Sequence, residues 1–135
     1  MTDAERARFD ALLEAVIERL PRRVRAVLDE LPVIVIDRPT SALLDELGIP
    51  PEEHADAAEE LCGLHTGVSL PERSVERSGD LPDDIHLFRA GIVNLAGGWE
   101  RGEEAVREEI RVTLLHEIGH HFGLDEDDLA DLGYD

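Results

Sequence analysis

Cysteine is nearly missing from this 135-residue sequence: Cys62 stands alone, so one chain can build neither an internal disulfide nor a thiolate zinc cage. Any metal it holds must use nitrogen and oxygen ligands. Basic residues are scarce too, 13 against 32 Asp plus Glu, for a formal net charge of -19 at pH 7. That surplus repels phosphate backbones and anionic lipid headgroups, so neither nucleic acid nor a membrane surface is an expected partner. The excess acid is read as a solvated surface serving solubility, with cations or basic peptides as the less favoured reading. No apolar run approaches the roughly 20 residues of a membrane helix. The start, MTDAERARFD, lacks the basic-then-apolar layout of a signal peptide, and the expected compartment is the cytoplasm.

What is present is a chain with 42% hydrophobic residues, enough to bury a core, and of a length that predicts one domain. Thr2 and Glu5 have the spacing of a capping box, and Phe9, Leu12, Leu13, Val16, Ile17 and Leu20 follow at helical spacing. An amphipathic helix is expected from Asp3 to Leu20. Pro21 suits the first turn of a second helix, with Val24, Val27, Leu28 and Leu31 on one face. The period then changes. Val33 to Asp37, VIVID, is a β-branched run of the kind buried in a sheet.

From Pro39 to Gly63 the pattern is helical but interrupted by Gly48, Pro50 and Pro51, giving a short helix near Ser41 to Leu47 and another near Glu52 to Cys62. HTGVSLPERSVERSGDLPDD reads as a long loop, and Ile85 to Val93 as a strand with Gly91 at a possible bulge. NLAGGWERG reads as a further loop. The last long helix starts near Glu103, with Glu103 and Glu104 favoured at the positive end of its dipole. Val106, Ile110, Leu114, Ile118 and Phe122, each four apart, form its apolar face. Gly123 suits the left-handed position past the helix end, after which LDEDDLADLGYD turns back.

This helix carries His116, Glu117 and His120 as H-E-x-x-H. Residues four apart differ by about 400° of rotation, so both imidazoles lie on nearly one face and can bind one ion. Glu117 is turned about 100° from His116, which sets its carboxylate beside a zinc-bound water instead of on the metal. There it can take the proton of a water whose pKa zinc lowers to around 7. Catalytic zinc usually has three protein ligands. Asp125, Glu126, Asp127 and Asp128 are all candidates for the third, and spacing alone does not choose among them.

HEIGHHFGLDE resembles the extended metzincin-like motif H-E-x-x-H-x-x-G-x-x-(H or D), and is close to the minimal zincin-like metallopeptidases, small bacterial single-domain proteins. Weaker matches run along most of the chain, in the paired N-terminal helices, VIVID, LCGLHTGVSL, LPDDIHLFRAGI and the C-terminal GLDEDDLADLGYD. The resemblance implies an α+β, minimal zincin-like fold over residues 1–135: N-terminal helices, a small sheet with an edge strand over the site, and a long metal-binding helix near the C-terminus. It implies His116 and His120 as zinc ligands and Glu117 as general base. The family's third ligand, commonly Asp at the eleventh motif position, falls here on Glu126, one methylene longer; Asp125 or Asp127 is next if Glu126 does not reach. Ile85 to Val93 is the candidate edge strand, along which an extended peptide would pair. A metzincin Met-turn cannot be found after the motif, because Met1 is the only methionine.

The reading that follows is a zinc-dependent metallopeptidase acting on a peptide or protein substrate. Its alternative is a zincin-like metal- or peptide-binding module with little or no turnover, and a closed structural zinc site is a weaker third. Of the other polar residues, His121 is expected in the second shell or solvent, and His54 in solvent on an acidic face. His65 and His86 lie in segments able to border the cleft, although substrate contact is the less favoured role for both. Cys62 reads as a small buried hydrophobe and Trp99 as a core anchor.

Overall fold

The computed structural model describes residues 1–66 and 83–122. Helix α1 (Asp3–Arg19) begins on the expected capping box: the Thr2 side chain accepts from the Glu5 N–H at 3.1 Å, and the Glu5 carboxylate accepts from the Thr2 N–H at 2.9 Å. Its apolar stripe, Phe9, Leu12, Leu13 and Val16, is buried. Helix α2 (Arg22–Val27) is shorter than its pattern suggests. The chain tightens through i→i−3 bonds from Leu28, Asp29 and Glu30, and Leu31 precedes Pro32, whose ring disfavours helical backbone there. Leu31 is still fully buried, so the apolar face reaches the core without a continuous helix.

Strand β1 (Val33–Ile36) matches VIVID to one residue. Helices α3 (Ser41–Glu46) and α4 (His54–Glu60) follow, with a single 3-10 turn, Pro51–Glu53, leading into α4. Two readings of the next segments need correction. Gly63–Thr66, partly inside the expected loop, is a strand, β2. Strand β3 spans only Asp84–Phe88, and Arg89–Leu95 is helix α5, not the second half of a strand. Ile92 and Val93 are β-branched yet buried on that helix, so burial overrides their intrinsic preference. Gly91 is no bulge; it is where the chain after α4 lies against α5. A Cβ there would sit 2.0 Å from the Leu61 carbonyl oxygen, which no L side chain can accommodate. A 3-10 turn at Trp99–Arg101 precedes α6 (Glu103–His121).

The sheet order is β1-β3-β2. β3 pairs parallel with β1 (Val33 opposite Ile85) and antiparallel with β2 (His65 opposite Ile85). β3 is therefore the centre of the three described strands and cannot be the free edge; β2 is the edge strand beside α6. The core lies between α1, α6, α5 and the inner face of β3, with Phe9, Ile85, Leu87, Ile92, Ile110 and Leu114 all fully enclosed. α6 buries Val106, Ile110, Leu114 and Ile118, but Phe122 is 38% exposed. A step of four residues overshoots one turn by about 40°, so after four such steps from Val106 the stripe has drifted to the helix flank.

Candidate metal centre

α6 runs without a break to His121, which fixes His116, Glu117 and His120 on consecutive turns of one rigid element. The His116 and His120 rings meet edge-on with centroids 4.4 Å apart. Donor atoms of these two histidines and of Glu117 all lie within 4.8 Å of one another. A tetrahedral zinc with bonds of about 2.0–2.1 Å holds its donors about 3.3 Å apart, a spacing inside that limit. The two imidazoles suit the ion as ordinary zinc ligands, and the Glu117 carboxylate lies beside them. His120 Nδ1 lies 3.2 Å from the Glu117 carboxylate, so the ring and the carboxylate are in direct contact.

Glu117 is 7% exposed and sits where β2 crosses α6. Gly63 makes the approach possible: a Cβ there would lie 2.8 Å from Thr113 Cγ2 and 3.3 Å from Glu117 Cγ. Two residues along the strand, the His65 backbone N–H donates to the Glu117 carboxylate. Burial pushes the Glu117 carboxyl above its ordinary range, while His120, His116 and the His65 N–H pull it back. A carboxylate so placed is held in one orientation and is a better proton acceptor than a solvated one.

The chain around this site matches a known family. The profile of the zincin-like metallopeptidases covers residues 28–134. The chain belongs to that family. As in the expectation from sequence, the zincin-like chain is α+β, with a small sheet beside a long helix that bears the histidines. Protein arginine N-methyltransferase 2 of Kluyveromyces lactis is 38% identical over 58 residues, a span covering 39% of this chain and 14% of that protein. A local likeness of that extent carries no methyltransferase reading to this zincin-like chain. No described helix is long and apolar enough to cross a membrane.

Glu126, together with Asp125, Asp127, Asp128 and Gly123, lies outside the described residues, as does most of the segment read as a long loop. Of the other polar residues, His54 departs from expectation. Its ring is only 14% exposed, with Nε2 2.9 Å from the Ile49 carbonyl and 3.3 Å from Asp45, so it braces the turn before α4. His86 lies 3.2 Å from Asp84 and stacks on Phe88. Cys62 is half-buried against the core, and burial pushes its thiol up to about 11, as befits an inert packing group. Trp99 packs on the core with the Arg8 guanidinium 4.5 Å above its ring.

Sequence reasoning missed a second cluster, formed by His65, Asp83 and His121. The helix rotation points His121 away from His120. That same rotation turns it toward the sheet, four residues beyond Glu117 and level with His65, which lies two beyond Gly63 on β2. Recognising β2 as a strand was the missing signal.

Proposed function

We propose that this chain is a cytoplasmic zinc-dependent peptidase that hydrolyses a peptide bond with Glu117 as general base. The observation that carries the reading is the buried Glu117 carboxylate, anchored by the edge strand and set beside two histidines one helical turn apart. His116 and His120 would hold the metal, with Glu126 completing the set. Bound zinc would polarise the substrate carbonyl and acidify a water to near neutral pH. Glu117 accepts the proton of the attacking water on a carboxylate oxygen and then donates it to the departing amine. Its raised proton affinity suits both halves of that transfer. The β2 edge, which faces the helix at Glu117, is the strand along which an extended peptide would pair.

Glu117→Gln keeps shape and the His65 contact but removes the base. The variant should retain zinc at wild-type stoichiometry while cleavage of a peptide library falls by at least about 100-fold, in line with the loss of general-base catalysis. Chelator-sensitive cleavage undiminished in that variant overturns the assignment. Zinc uptake without any cleavage by the wild-type chain would instead favour a peptide-binding module.

A further inference from the structure

We propose that His65, Asp83 and His121 form a second metal site, for a divalent cation of the zinc class, distinct from the one on His116 and His120. Three separate elements deliver these side chains: the edge strand β2, the residue preceding β3, and the last turn of α6. Their donor atoms all lie within 4.8 Å of one another. The side chains of His65 and Asp83 are 7% and 6% exposed and that of His121 is 14% exposed, so the cluster is an enclosed arrangement and not surface acid.

The distances suit an ion. Asp83 Oδ2 stands 2.9 Å from His121 Nδ1 and 3.9 Å from His65 Nε2. Tetrahedral donors around zinc are about 3.3 Å apart, a value that falls between the two. The His65 and His121 rings meet nearly edge-on, at 70° with centroids 5.5 Å apart, which leaves both nitrogens able to turn toward a common point. Two neutral imidazoles with one carboxylate select zinc, cobalt, nickel or ferrous iron over magnesium or calcium, which prefer all-oxygen shells. An ion here would clamp the end of α6 to the sheet. His121 is the next residue after His120, and the His65 backbone holds Glu117. The clamp would thus fix the frame in which the first site sits.

The test is cobalt(II) titration in excess magnesium, which saturates the acidic surface and leaves nitrogen-ligated sites to report by visible absorption. The wild-type chain should bind two equivalents. A His116→Ala, His120→Ala chain should keep one, and adding Asp83→Asn or His65→Ala should weaken that one by more than the roughly 10–100-fold that loss of an outer-shell partner costs. Side-chain nitrogen NMR of the His116→Ala, His120→Ala chain, in which the cluster is intact, should show zinc shifting His65 and His121. No cobalt retained by that chain, or zinc shifts confined to other histidines, overturns the proposal. One equivalent in the wild type that survives loss of His116 and His120 would leave this site standing and remove the peptidase reading.

Discussion

Glu117 combines a charge with burial, and that combination has a cost in the metal-free protein. Its carboxyl is raised from an ordinary value of 4.5, mainly by desolvation. A group whose folded pKa is raised gives its stabilisation when protonated, below the unfolded value, and loses it as pH rises through the folded value. Above the unfolded value, ionisation of this carboxyl therefore works against folding, and glutamine, which mimics the protonated form, carries no such cost. Metal-free Glu117→Gln should melt above the metal-free wild type at pH 8, by about 3–6 °C if about 1 kcal/mol of desolvation cost is relieved. The gap should close as the pH is taken below 4.5, where both chains are neutral at this position. A calorimetric pH series checks it; a gap that widens in acid contradicts the stated cause. Zinc reverses the argument, since a nearby cation favours the ionised carboxylate.

Packing between elements is decided at a few backbone contacts, and among the described glycines Gly91 meets its neighbour most closely. A methyl group there would overlap the Leu61 carbonyl oxygen at 2.0 Å, and backbone cannot swing aside as a side chain can. Gly91→Ala should cost about 3 kcal/mol or more, the upper range for overpacking, and lower the urea midpoint accordingly. A loss under about 1 kcal/mol would mean that α5 and the chain after α4 separate freely. The same glycine shows why this region was misread from sequence. IHLFRAGIV has the β-branched content of a strand, and only the fit of α5 against its neighbours makes its second half helical. β2 was missed for a related reason: GLHT has no alternation of its own and becomes a strand by pairing with β3. By contrast α1 carries its own period and end signals and was legible to within a residue, and α6 carries its own period and starts at the expected Glu103. That His116, Glu117 and His120 come together was legible because their spacing lies within one helix. The His65, Asp83 and His121 cluster was not, because it needs three elements brought together.

Across the whole molecule a net charge of -19 opposes compaction, and four of the described arginines, Arg6, Arg8, Arg38 and Arg89, join distant parts of the chain. Arg89, with its side chain 12% exposed, bonds both oxygens of Asp10 on α1 at 3.0 Å and Asp37, just past β1, at 3.0 Å. Arg6 reaches the other oxygen of Asp37 at 2.8 Å. One network thus ties α1, the end of β1 and the start of α5 outside the apolar core. The Arg6 hydrogen bond, followed by that of Arg89, holds the Asp37 carboxyl below its ordinary value of 3.8. For a depressed carboxyl the stabilisation is present above the unfolded value and is lost as pH falls through the lower folded value. Asp37→Asn should therefore be less stable than wild type at pH 6. The difference should persist through pH 5 and close only in acid below 3.8, as wild-type Asp37 itself takes up a proton. General relief of negative self-repulsion acts on both chains alike as acid is added, so the difference between their melting temperatures isolates Asp37. Arg89→Ala, which leaves two carboxylates facing each other without their bridging cation, should cost more, roughly 2–3 kcal/mol for a partly buried pair. If Asp37→Asn and Arg89→Ala simply add in the double variant, the two residues act separately and the network does not exist as a unit.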